Sequence, residues 1–66
     1  MNITLNGKPH TMKPLGSVAQ LVESLGVKLQ VAVAVNGEVV RRADWASIEL
    51  SEGDEVEIVR AVGGGS

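Results

Sequence analysis

Val31-Ala32-Val33-Ala34-Val35-Asn36-Gly37-Glu38-Val39-Val40-Arg41 reads as two strands joined by the shortest hairpin turn. Asn-Gly supplies the two positive-φ positions that a type I′ turn demands, and the twist of that turn matches the twist of antiparallel strands. Val31 to Val35 is apolar at both parities, which suits a strand with a helix packed over one side. The return strand spans Glu38 to Arg41. Upstream, Ile3 and Leu5 alternate with Asn2, Thr4 and Asn6, the period of a half-buried strand. Asn6-Gly7 repeats the hairpin signal and leads to a strand over Lys8 to Met12, which Pro9 assigns to a sheet edge.

Between the hairpins, Ser17-Val18-Ala19-Gln20 fits a capping box, with the Ser17 hydroxyl accepting from the Gln20 N–H while the Gln20 side chain reaches back. Val18, Leu21, Val22 and Leu25 follow at i, i+3, i+4 and i+7, and Gly26 is the expected helix stop. Asp44-Trp45-Ala46 forms a short helical turn. Leu50, Gly53-Asp54, then inward Val56 and Ile58 with outward Glu55 and Glu57, describe a turn feeding a final strand. The order is ββαβββ, with a core of Ile3, Leu5, Val18, Leu21, Val22, Leu25, Val33, Val35, Val56 and Ile58.

Sixty-six residues allow one core and one domain. A hydrophobic share of 44% and 21% charged residues belong to a folding chain rather than a disordered one. Cysteine is absent, which removes disulfides, thiolate-ligated zinc, thiol nucleophiles and persulfide carriage. One Trp with no Phe or Tyr leaves almost nothing for nucleic-acid bases to stack on. The net charge of −2 divides unevenly: residues 1–42 carry +3 and residues 43–66 carry −5. Six scattered cations do not make a phosphate-binding face, so nucleic acid is not an expected partner. No signal peptide or membrane span is legible, and a cytoplasmic, monomeric protein is the expectation.

Past Arg60 the alternation breaks, because Val59 and Ala61 take the parity that Glu55 and Glu57 used. The two candidate covers for that apolar strand end are the protein's own loops and a partner. Residues 1–62 form the domain, and Gly63-Gly64-Gly65-Ser66 a flexible arm, since glycine loses most entropy on ordering and has nothing to bury. Extended, four residues reach about 13–14 Å beyond Val62, at roughly 3.3–3.6 Å each. By composition alone such a segment is the start of a linker.

The whole chain resembles the ubiquitin-like sulfur carriers, and among them the ThiS-type carriers of thiamine biosynthesis. The likeness rests on Met1-Asn2-Ile3 with Asn6-Gly7, on Val31 to Val35 with Asn36-Gly37-Glu38, and on Val40-Arg41-Arg42-Ala43-Asp44-Trp45. It continues through Leu50-Ser51-Glu52-Gly53-Asp54-Glu55-Val56-Glu57-Ile58 and Ala61-Val62 before the glycines. The Leu-x-x-Gly-Asp-x-Val stretch is shared widely among β-grasp proteins, whereas the spacing from Arg42 to Trp45 marks the thiamine branch. Members usually carry proline where Arg41 stands and end on a diglycine, which Gly64-Gly65 matches, with Ser66 extra.

The resemblance implies an α+β fold of the β-grasp type, a mixed sheet of four to five strands with one main helix. It also implies a carrier rather than an enzyme. A ThiF-like adenylating enzyme activates the terminal Gly65 with ATP and magnesium, a sulfur donor converts it to a thiocarboxylate, and a ThiG-like thiazole synthase consumes the sulfur. The carrier itself needs no cofactor, metal, general acid or base. Val59, Ala61 and Val62 are the expected docking surface. Two other readings stand beside this one, a molybdopterin-synthase small-subunit-like carrier and a β-grasp scaffold with an inert tail; the Arg42 to Trp45 spacing speaks against the former. His10, Arg41 and Arg42 are expected in solvent and Trp45 partly buried.

Overall fold

The computed structural model describes residues 1–26 and 31–60. Five strands form one mixed sheet: β1 (Asn2–Leu5), β2 (Lys8–Thr11), β3 (Val31–Val35), β4 (Glu38–Val40) and β5 (Glu55–Arg60), in the order β2-β1-β5-β3-β4. β1 and β5 run parallel, while β1–β2, β3–β4 and β3–β5 are antiparallel. β2 lies on an edge, as Pro9 requires. Both Asn-Gly pairs take the expected turn, with φ of 50° and 81° at Asn6 and Gly7 and 51° and 86° at Asn36 and Gly37. This is the β-grasp arrangement that the resemblance implies.

Helix α1 (Val18–Ser24) lies across one face. Its capping box is complete, with the Gln20 N–H donating to Ser17 Oγ at 3.1 Å and the Ser17 N–H to Gln20 Oε1 at 2.9 Å. Val18, Leu21 and Val22 bury against Ile3, Val33 and Val56. Leu5, Val35 and Ile58 pack partly buried at the margin of this core. Leu25, expected in the core, is 37% exposed. A seven-residue helix has fewer than two turns, so the i+7 position falls on the C-cap, past the end of the stripe. β2 and β4 each stop one residue short of expectation, at Thr11 and Val40.

Two core members escaped the sequence reading. Leu50 is 3% exposed because its segment is stitched along the start of α1: the Leu50 N–H donates to Gly16 C=O at 2.8 Å and the Val18 N–H to Ile48 C=O at 2.9 Å. Trp45 is more buried than expected, at 8%. It sits in a 3-10 helix over Arg42–Ser47, and its indole N–H donates to Val40 C=O at 3.1 Å. No helix among the described residues is long and apolar enough to cross a membrane.

Candidate functional site

β5 occupies the middle of the sheet, between β1 and β3, and Arg60 is its exposed last residue. Gly63, Gly64, Gly65 and Ser66, and the docking candidates Ala61 and Val62, lie outside the described residues. The strand that leads to them, β5, is held from two sides.

On the β3 side, pairing runs from Val35↔Val56 to Val31↔Arg60. The Asn36 N–H donates to Glu55 C=O at 2.7 Å. Antiparallel hydrogen-bonded pairs recur at every second residue, so the backbone groups of residues 55, 57 and 59 face β3 and those of 56, 58 and 60 face the other way. On that other side β1 pairs only as far as Leu5↔Val56, after which the chain turns. The Asn6 N–H reaches Val56 C=O at 2.9 Å. Its carboxamide continues the ladder, accepting from the Ile58 N–H at 2.8 Å and donating to Ile58 C=O at 3.3 Å.

Asn36 does the same work at the start of β5. Its Oδ1 accepts from the Glu55 N–H at 2.9 Å and its Nδ2 donates to Asp54 Oδ1 at 3.1 Å. Asp54 Oδ2 in turn accepts from the Ser51 N–H at 2.8 Å, which closes the turn before the strand. Sequence reading took both asparagines for turn formers alone. An Asn side chain presents one acceptor and two donors, the same complement a strand backbone offers, so its second role has a signature only where the neighbouring strand is known.

Val59 is where the parity argument puts it, on the sheet face opposite α1, and is 62% exposed. Its cross-strand neighbour is Ala32, while Ala34 stands between Glu57 and Val39. Val39 is 76% exposed. Ala32, Ala34, Val39 and Val59 therefore make an apolar strip across three strands, bordered by Glu55 and Glu57. Ala32 and Ala34 carry no signature of a shared patch in the sequence, where the two apolar parities of β3 imply only a helix over one side, and Val39 on β4 joins them only through the β3–β4 register.

Arg42 is exposed, and its guanidinium carbon lies 5.7 Å from the centroid of the Trp45 ring. In a 3-10 helix residues i and i+3 eclipse, which gives the Arg-x-x-Trp spacing a physical basis as a cation–π pair. His10, half-buried, borders a groove of about 450 Å³ shared with Met12, Leu15 and Gln20. Among the described residues no group of three His, Asp or Glu side chains is placed to hold a metal ion.

Comparison with known proteins bears on this frame. Residues 3–65 match the model of the ThiS family. A crystal structure of a thiamine biosynthesis protein (ThiS) from Geobacter metallireducens superposes with a TM-score of 0.85 at 38% identity, over 98% of this chain and 100% of that one. A solution structure of a thiamine biosynthesis protein from the same organism gives 0.78 at 37%, over 100% and 90%. Thiazole synthases of Paramagnetospirillum magneticum and Magnetococcus marinus are 36% identical over 67 residues and 38% over 66. They cover 100% and 98% of this chain, which spans only 21% and 20% of their length.

Proposed function

The chain belongs to the ThiS family, and from that premise we propose that it carries sulfur in thiamine biosynthesis on the terminal carboxylate of Gly65. The observation that carries this reading is the extent of the family match, which runs to residue 65. It takes in Gly63, Gly64 and Gly65 and stops before Ser66.

A carboxylate is a poor acyl donor, because its charge is delocalised and oxide does not leave. Activation by a ThiF-like adenylating enzyme solves this. A carboxylate oxygen of Gly65 attacks the α-phosphorus of magnesium-bound ATP, pyrophosphate leaves, and a sulfur nucleophile then displaces AMP from the acyl carbon. Gly65 ends as a thiocarboxylate, the form in which sulfur is handed on. Residues that follow Gly65 in the chain, Ser66 included, are removed before this step.

Thiazole synthase is the acceptor in this scheme. Support comes from the two thiazole synthases that contain a stretch like this chain within a longer polypeptide. A carrier joined to its acceptor works at high effective concentration, which is an arrangement expected of partners. The strip of Ala32, Ala34, Val39 and Val59, with Ala61 and Val62 following in sequence, is the docking surface for the adenylating enzyme, with the acidic border steering a basic partner. The arm over residues 63–65 threads the partner's cleft, where a backbone without side chains passes most easily.

The test is sulfur incorporation. The form ending at Gly65 is incubated with ATP, magnesium, the adenylating enzyme and a sulfur donor, and its mass is measured. Exchange of one oxygen for sulfur, located at Gly65 by fragmentation, is the expected result. Its absence moves the protein to the scaffold class.

A further inference from the structure

The geometry points to Asn6-Gly7 and Asn36-Gly37 as two latent succinimide-forming modification sites, each held silent by its hydrogen bonds to the strand that carries the tail. A glycine after asparagine leaves its backbone nitrogen unhindered. Once that nitrogen gives its proton to solvent base it can attack the asparagine Cγ. The new C–N bond closes a five-membered imide, the Cγ–Nδ2 bond breaks and ammonia leaves. Water then opens the ring at either carbonyl, giving aspartate or isoaspartate. The net change consumes one water and releases one ammonia, with no redox partner.

Both carboxamides are turned toward β5 in the folded state. Asn6 is fixed by Ile58 through its oxygen at 2.8 Å and its nitrogen at 3.3 Å. Asn36 is fixed by Glu55 at 2.9 Å and Asp54 at 3.1 Å. Cyclisation requires the carboxamide to let go and swing back over the following glycine, so it proceeds from conformations in which the β5 contact has opened.

The product cannot restore what was lost. At position 36 a carboxylate replaces the amide that donates to Asp54, bringing two anions to the separation of a hydrogen bond. At position 6 the donor to Ile58 C=O disappears and an anion faces that carbonyl. Isoaspartate also adds a main-chain atom to a two-residue turn whose length fixes the strand register. The side-chain contact to β5 that was lost on opening does not re-form, so β5 opens more readily and its end at Arg60 is less firmly held. The inference concerns the folded frame and stands whether or not Gly65 carries sulfur.

The full chain is incubated at mildly alkaline pH, folded in buffer and unfolded in urea, and deamidation is followed by peptide mapping. Both sites should react in urea and at least about tenfold more slowly in the folded protein, the protection expected where reaction waits on local opening. Equal rates in the two states overturn the inference, as does reaction confined to Asn2. Independently, Asn6→Asp and Asn36→Asp should each lower the urea midpoint and speed deamidation at the remaining site. Either variant keeping both the wild-type midpoint and the wild-type rate overturns the link between modification and β5.

Discussion

Asn6 and Ile58 are joined through both ends of one carboxamide, Oδ1 accepting from the Ile58 N–H and Nδ2 donating to its C=O. The side chain thereby stands in for a strand residue at the point where β1 turns away. Two hydrogen bonds of ordinary strength contribute about 0.5–1.5 kcal/mol each. Asn6 also holds a φ of 50°, where alanine is strained by about 1–2 kcal/mol. Asn6→Ala should therefore cost about 2–5 kcal/mol. Asn6→Gly removes the carboxamide but tolerates the backbone, so it should cost visibly less. Urea midpoints at constant m-value measure both, and equal losses would show that the carboxamide contributes nothing.

Leu21 is 1% exposed and central to the helix face. Its truncation leaves a cavity between α1 and the sheet, with a cost of about 2–5 kcal/mol for Leu21→Ala. Domains have only about 5–15 kcal/mol in total, and one of this size sits low in that range. Partial unfolding of Leu21→Ala at 37 °C is the expected observation by circular dichroism. A wild-type melting curve would place the stabilising core elsewhere. By contrast, Leu25→Ala at the helix cap should cost less than half as much.

The elements legible in the sequence are those whose signals are local. Asn-Gly turns, the Ser17–Gln20 box and the alternation of β1 and β5 depend on a few adjacent residues, and each appears where it was read. Contacts between distant segments were not legible. Leu50 enters the core because residues 48–50 run beside residues 16–18, and no periodicity in its own stretch announces this. Leu25 failed for the opposite reason, a helical period carried past the last helical residue. The site divides in the same way. The outward placement of Val59 is legible from strand parity, while its cross-strand partner Ala32 and, one strand further, Val39 need the β5-β3-β4 order.

Arg41 has φ of −69° and ψ of 144°, within the range that proline imposes. Val40 before it ends β4 in extended backbone, which the residue preceding proline also requires. The Val35↔Glu38 pair closes a two-residue hairpin, so hydrogen-bonded positions fall at Glu38 and Val40 and the Arg41 N–H points off the edge of the sheet. Arg41→Pro should stabilise the fold by about 0.4–1 kcal/mol through the unfolded chain. A lowered denaturation midpoint would mean that the Arg41 N–H or side chain has a partner that proline removes.

The exposed strip of Val39 and Val59 predicts a partner contact with an apolar centre and a charged border. Val59→Glu should slow activation of the carrier by the adenylating enzyme at least about tenfold, a loss of the size seen when an anchor side chain is removed from an interface. Thermal stability should change little, because Val59 touches no core residue on that face. Association should also slow as salt rises, since exposed charges are screened beyond about 8 Å at physiological ionic strength. Stopped-flow association with a salt series separates the two effects. A salt-independent rate, with activation unchanged in Val59→Glu, removes the strip from the interface.

Arm length and the identity of its last residue can be tested together with versions ending at Gly64, Gly65 and Ser66. Each is given the adenylating enzyme, ATP, magnesium and a sulfur donor, then weighed. In the proposed scheme the adenylate forms on whichever residue is last, but a channel shaped for bare backbone would admit glycine and resist a Cβ. The serine hydroxyl would also lie beside its own activated carbonyl, where proximity favours unwanted attack. The Gly65 form should take up the most sulfur. The Gly64 form should take up less, its carboxylate falling about 3.3–3.6 Å short. The Ser66 form should take up least, and cleavage back to Gly65 should restore it. Equal incorporation on the Ser66 and Gly65 forms would show that the channel does not select against a side chain. Equal incorporation on Gly64 and Gly65 would show that reach is not what limits transfer.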